Sequence, residues 1–228
     1  MANTKFKRQA ALAALEHVKD NMIIGVGTGS TVSCFIEVLG ERVREGLKVL
    51  AVPTSYQSAV LLSERGVPMT TLMENPFLDL VVDGADEVDP DLNLIKGGGA
   101  ALTQEKIIAS ATEHLIIIVD SSKLVKRLGE TSGVPVEVIP MAWKLVKIKL
   151  EEKGAKVVLR EGARKAGPVV TDNGNFILDV HFPEISDAGD LESELNAIPG
   201  IVENGLFVGM VELVYVGLDK ELKVLRKK

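Results

Sequence analysis

The chain has a single cysteine, Cys34, which excludes an internal disulfide. Set beside Val32, Phe35 and Ile36 on an expected helix, it reads as core packing rather than a reactive thiol. The three histidines, His17, His114 and His181, stand alone and at no metal-ligand spacing, so neither a metal nor a cofactor is expected. Asp89-x-Asp91-x-Asn93 begins like a calcium loop, but Leu94 stands where such a loop needs glycine and Ala100 where it needs glutamate. Basic charge is also short: 26 Lys and Arg against 32 Asp and Glu give a net charge of −6, which leaves no field to hold nucleic acid. No apolar run approaches the roughly 20 residues of a membrane span; residues 115–119 are far too few. Lys5, Lys7 and Arg8 precede an Ala/Leu segment that Glu16 and His17 interrupt, without a clear cleavage site. A signal peptide is therefore not expected, and a cytoplasmic location is.

What is present is a core-forming composition, 46% apolar over 228 residues, and a regular alternation of elements. The apolar periodicity predicts helix 4–19, strand 22–26, helix 32–45, strand 48–52, helix 56–65, strand 80–82, helix 101–112 and strand 115–120. Strands alternating with helices predict a Rossmann-like, doubly wound and mostly parallel α/β sheet. From about Gly129 the order changes. Strand 136–139, helix 141–153, strand 156–159, a strand pair meeting at Asn173-Gly174 and helix 188–198 predict a smaller α+β domain of split βαβ, ferredoxin-like form. A strand at 213–216 and a terminal hairpin then rejoin the first sheet. The expected division is 1–128 with 206–228 for the main domain and 129–205 for the smaller one.

Two glycine-rich segments carry the chemistry. Gly25-Val26-Gly27-Thr28-Gly29-Ser30-Thr31 lies between a strand and a helix, where unbonded N–H groups and the helix dipole favour an anion. A dinucleotide fingerprint fails, because Ser30 and Val32 replace its third glycine and no acidic residue ends the next strand. A Walker loop fails because no lysine precedes Ser30-Thr31. What remains suits one phosphate monoester, with Ser30 or Thr31 as a simple helix cap the alternative; both can hold. The second segment runs through Asp83-Gly84-Ala85-Asp86-Glu87 and Lys96-Gly97-Gly98-Gly99-Ala100-Ala101-Leu102-Thr103-Gln104-Glu105-Lys106. Asp83 ends a buried strand, where open α/β sheets present ligand loops. Asp83, Asp86, Lys96 and Glu105 supply carboxylates, an ammonium and glycine backbone. These are the parts needed to take a proton from beside a carbonyl, hold an enediolate and return the proton to the next carbon.

These motifs, with Val136-Glu137-Val138-Ile139-Pro140, Val170-Thr171-Asp172-Asn173-Gly174-Asn175 and residues 198–207, resemble the ribose-5-phosphate isomerases of type A over nearly the whole chain. The resemblance implies a metal-free interconversion of ribose 5-phosphate and ribulose 5-phosphate in the pentose phosphate pathway, with Glu105 as the base. It further implies that Thr28, Gly29, Ser30 and Thr31 hold substrate, through the phosphate. Asp83, Gly84, Ala85, Asp86, Lys96, Gly97, Gly98 and Gly99 line the sugar end, and Lys123 is one more substrate contact. Lys7 on the first helix reads more simply as a solvated charge than as a site residue. The partner implied is a small sugar phosphate, with neither nucleic acid nor membrane, and the chain is expected to form a homodimer or homotetramer. Two other classes compete. Glu203-Asn204-Gly205 resembles the nucleophilic glutamate loop of coenzyme A transferases, although Asn-Gly as a tight turn explains it more cheaply. A non-catalytic sugar-phosphate-sensing domain would need the phosphate loop without Glu105 or Lys96.

Overall fold

A computed structural model of the chain describes residues 2–219 and 221–227; Lys220, within the expected terminal hairpin, lies outside them. In chain order the elements begin α1 (Ala2–Leu15), β1 (Met22–Val26), α2 (Ser30–Arg44), β2 (Val49–Pro53), α3 (Tyr56–Glu64) and β3 (Leu80–Asp83). Two short strands follow, β4 (Glu87–Val88) and β5 (Leu94–Ile95), then α4 (Leu102–Ala109) and β6 (Leu115–Asp120). Next come β7 (Val134–Val138), α5 (Trp143–Glu152), β8 (Lys156–Leu159), β9 (Phe176–His181), α6 (Ala188–Asn196), β10 (Ile201–Asn204) and β11 (Leu206–Phe207). The chain closes with β12 (Leu213–Gly217) and β13 (Leu222–Arg226).

Contacts divide the chain into two compact units. The first comprises the residues up to Ala85, Gln104–Leu124 and those from Met210 on. Its six strands lie in the order β13-β12-β6-β3-β1-β2, parallel except for β13. β3 and β6 are buried at every position, as parallel strands covered on both faces must be, which is why they read as unbroken apolar runs. The expected doubly wound sheet is the one observed. After β2 the chain reverses its direction of winding, so the topological switch point lies between β1 and β3.

The second unit comprises Asp86–Thr103 and Val125–Gly209. Its four-stranded antiparallel sheet has the order β10-β7-β9-β8, with α5 and α6 as the crossovers, which is the ferredoxin-like arrangement expected. Ile95, Val136, Val138, Val146, Leu178, Val180 and Leu206 share its core. A second sheet, β11-β5-β4, has strands of only two residues. Helix ends shift from expectation by a few residues. The largest difference that matters is at α2, which begins at Ser30 rather than Val32.

Candidate active site

Adjacent strands β1 and β3 end side by side at the switch point of the first unit. There Gly27 N–H donates to Val82 O at 2.9 Å. Asp83, only 1% exposed, turns its Oδ1 to accept the N–H groups of Gly84 at 2.7 Å and Thr28 at 3.2 Å. A Cβ on Gly27 would lie 1.9 Å from that same oxygen, so the carboxylate occupies the space a side chain would need. The Thr28 hydroxyl donates to Ser55 Oγ at 2.7 Å and lies 2.8 Å from Thr54 Oγ1. Ser55 in turn caps α3 through a capping box with Ser58. The loop is thus pinned from two neighbouring elements.

Gly29 is the N-cap of α2 at φ +102°, with no side-chain cap bond, so neither Ser30 nor Thr31 caps the helix. Both belong to the first turn, whose N–H groups have no partners within the helix. Lys7 Nζ donates to Ser30 Oγ at 2.8 Å. An ammonium beside a helix N-terminus makes an anion site from two independent sources of positive potential. Lys7, expected as a solvated charge, thus also has a hydroxyl partner 23 residues away, of which a lone lysine on an amphipathic helix gives no signal.

Two further expected residues belong to this unit. Lys123 ends a single 3-10 turn that follows β6, the neighbour of β3, and Asp120 caps that turn by accepting Ser122 N–H at 3.0 Å. Thr28–Thr31 and Lys123 thus follow the C-terminal ends of β1 and β6, and Asp83 is the last residue of β3 between them. Glu105 lies in the first turn of α4 and is 4% exposed, so the solvated first-turn carboxylate that its position alone would imply is not what forms.

The second unit holds Asp86, Lys96 and the glycines. Asp86 N–H donates to Ile95 O at 2.8 Å, and Asp86 Oδ2 accepts Gly98 N–H at 2.7 Å. A Cβ on Gly98 would come within 2.7 Å of Asp86 Oδ1. Gly97 stands at φ +102°, where a Cβ would also strike Leu102 at 2.8 Å, and Ala100 adopts φ +60°. Lys96 is 3% exposed; its N–H donates to Gly205 O at 2.9 Å and its Nζ lies 5.4 Å from the centre of the Phe207 ring. Gly205 has no positive φ. A Cβ there would lie 2.3 Å from Lys96 O, so this glycine serves close backbone approach, and the tight turn expected at Asn204-Gly205 is corrected. Asn204 is fully buried and bonds to Asn196, while Glu203 Oε1 accepts Asn204 N–H at 2.8 Å. Asp89 Oδ1 accepts the N–H groups of Asp91 and Asn93, so the β4–β5 connection is folded by its own hydrogen bonds.

One carboxylate carries more hydrogen bonds than its place in the sequence suggests. Glu137, fully buried on β7, accepts bonds from Thr103, Thr171, Asn173 and Asn175. Four neutral donors satisfy a buried carboxyl group whose burial would otherwise be costly. Two of them sit around Gly174 at φ +81°, which explains the 171–175 motif as a clamp on Glu137.

Comparison with known proteins bears on what these parts do. The family model of ribose 5-phosphate isomerase A (phosphoriboisomerase A) matches residues 50–221. The chain belongs to this family. It is 57% identical over 221 residues to the ribose-5-phosphate isomerase A of Methanothermobacter thermautotrophicus, covering 96% of this chain and 97% of that one. It is 50% identical to the Pyrococcus abyssi protein of the same name, covering 98% of each. Among solved structures, a D-ribose-5-phosphate isomerase in complex with phospho-erythronic acid superposes with a TM-score of 0.97 at 49% identity, over 99% of this chain and all of that one. The ribose 5-phosphate isomerase A of Methanocaldococcus jannaschii gives 0.94 at 49% identity, over 97% and 98%.

Proposed function

We propose that this chain interconverts D-ribose 5-phosphate and D-ribulose 5-phosphate by proton transfer through an enediolate. The observation that carries the reading is the full-length likeness to an isomerase solved with phospho-erythronic acid. By its name that ligand carries a phosphate and a carboxylate, the latter spreading charge over two oxygens as an enediolate does. This chain has a cationic receptor for each: Lys7 with the start of α2, and Lys96 with the glycine run.

In the reading proposed, Glu105 takes the proton from carbon 2 of the open-chain aldose, and the electron pair moves onto the carbonyl oxygen of carbon 1. Lys96 and loop N–H groups stabilise the resulting anion. Asp83 passes the hydroxyl proton from the oxygen on carbon 2 to that on carbon 1, and Glu105 returns its proton to carbon 1. Asp86 holds Gly98, and by doing so shapes the loop that meets the sugar. Thr28–Thr31 and Lys123 bind substrate, the former through the phosphate. The pentose phosphate pathway is the setting that the family carries, in its non-oxidative branch and in the cytoplasm.

We also assign self-association as a homodimer or homotetramer, which the exposed Leu145 and Ile148 support, since they lie three apart on α5, with the exposed Met141 in the turn just before it. Incubation of the purified protein with ribose 5-phosphate tests the function directly: ketose appears if the reading holds. No ketose would end it.

A further inference from the structure

Arg160 is the residue after β8, far in sequence from the glycine run, and no part of the chemistry above uses it. Its Nη1 donates to Gly97 O at 2.9 Å and to Gly98 O at 3.1 Å. Its Nε donates to Asp179 Oδ2 at 2.9 Å, and its Nη2 to Asp179 Oδ1. Asp179 lies on β9 and is itself fixed by the β8–β9 ladder. One planar guanidinium therefore holds a carboxylate on one edge and two successive loop carbonyls on another. An ammonium could not make both sets of bonds at fixed angles.

A trans peptide is planar, and its C=O and the following N–H point in opposite directions. Fixing Gly97 O on Arg160 therefore turns Gly98 N–H to the other side, where Asp86 Oδ2 receives it. Fixing Gly98 O by the same group turns Gly99 N–H away from Arg160 as well. A cation on a carbonyl also draws charge through the amide and makes its N–H a stronger donor. The loop needs such an anchor, because Ala100 at φ +60° holds a backbone conformation that persists only where surroundings impose it, and the glycines before it are free to adopt many others.

We propose that Arg160, held by Asp179, is a positioning residue that locks Gly98 N–H onto Asp86 and aims and polarises the Gly99 amide toward the oxyanion formed during isomerisation. This rests on the assignment of the 96–99 segment to the sugar end of the substrate. Arg160 touches no reacting atom in this scheme; it acts through the two peptides.

The test measures kcat and KM for ribose 5-phosphate, together with the affinity for phospho-erythronic acid, in the wild type and in Arg160→Met, Arg160→Lys and Asp179→Asn. Arg160→Met lowers kcat roughly 10- to 100-fold, less than the loss of a direct oxyanion donor. It weakens phospho-erythronic acid by a similar factor and leaves KM within about threefold, since the phosphate contacts are untouched. Arg160→Lys stays close to Arg160→Met. Asp179→Asn shows a smaller loss, and the double variant Arg160→Met with Asp179→Asn is no worse than Arg160→Met alone. Wild-type kcat and analogue affinity in Arg160→Met overturn the proposal. So does recovery by lysine, or a uniform loss for substrate and analogue that tracks a fall in Tm. Lys96→Met separates the underlying assignment: a wild type that forms no ketose, or a Lys96→Met variant with unimpaired turnover, removes the sugar-end reading and the proposal with it. A silent Arg160 beside an essential Lys96 removes the proposal alone.

Discussion

Thr28 N–H reaches Asp83 Oδ1 at 3.2 Å in the first unit, and Gly98 N–H reaches Asp86 Oδ2 at 2.7 Å in the second. In both places an aspartate closes a glycine loop on its own carboxylate, and in both a Cβ on the loop would collide with it, at 1.9 Å from Gly27 and 2.7 Å from Gly98. The loops are finished differently. The first opens directly into α2, so a helix terminus and Lys7 supply its positive potential. The second is followed by Ala100 at φ +60° before α4 begins, and its carbonyls are covered by Arg160. A helix N-terminus suits a compact phosphate that stays anionic throughout. Aimed amides beside a lysine suit charge that appears only in the transition state.

Changes to residues outside, inside and beside the two loops separate these roles. The largest effect on turnover is expected at a residue in neither loop: Glu105→Gln keeps the shape but cannot accept a proton. It should lower kcat by roughly 100- to 10,000-fold while binding of phospho-erythronic acid is kept, as steady-state kinetics and calorimetry would show. Of Gly27, Gly98 and Gly29, Gly27→Ala should be the most damaging, because only displacement of the Asp83 carboxylate relieves the overlap; overpacking of this kind costs about 1–3 kcal/mol, read from urea melts. Gly98→Ala should cost less. Gly29→Ala meets no atom within 4 Å and carries only the strain of φ +102°, so it ranks last; the reverse order would break the parallel between the loops.

Lys7→Met should raise KM about tenfold or more with kcat changed less, since a charged hydrogen bond of roughly 1.5–3 kcal/mol is lost at the end of the substrate that does not react. An equal fall in kcat would show that the first loop takes part in the chemistry. Smallest of all is the effect at Cys34, beside the first loop on α2. Burial, and then Glu37, push its thiol above the usual range. The protonated thiol therefore persists to higher pH in the folded state, and any stability it lends is full below the unfolded value and is lost as pH rises from there through the raised one. Iodoacetamide should modify Cys34 more slowly than free cysteine at pH 8, with activity unchanged over the same period.

The first loop was readable in the sequence because its own residues mark it: glycines between an apolar strand and an amphipathic helix, with hydroxyls in between, although Asp83 and Ser55, which pin it, stand far away in the chain. Its cation was not, since Lys7 meets Ser30 only through the packing of α1 on α2. The second loop was readable in its residues but not in its anchor. Arg160 stands more than 60 residues away at the end of β8, and nothing in its local sequence marks it. Likewise β4, β5 and β11 are too short, at two residues each, to show any period, so the association of residues 86–103 with the second unit carried no signal. Gly205 shows the limit of dipeptide rules. Asn-Gly signals a turn when glycine is wanted for positive φ, as at Gly174, whereas at Gly205 it is wanted for the missing Cβ beside Lys96.

The central claim is that one carboxylate, Glu105, carries a proton between two carbons, and isomerisation of ribose 5-phosphate in heavy water tests it most directly. The prediction is solvent deuterium at carbon 1 of the ribulose 5-phosphate, in a single prochiral position, because one base serves one face of the enediolate. Partial retention of the substrate hydrogen is compatible with a shielded carboxylate that returns its proton before exchange. Complete retention over many turnovers would mean that the hydrogen crosses as hydride, and would contradict proton transfer by Glu105 together with the parts that Asp83 and Lys96 play in it.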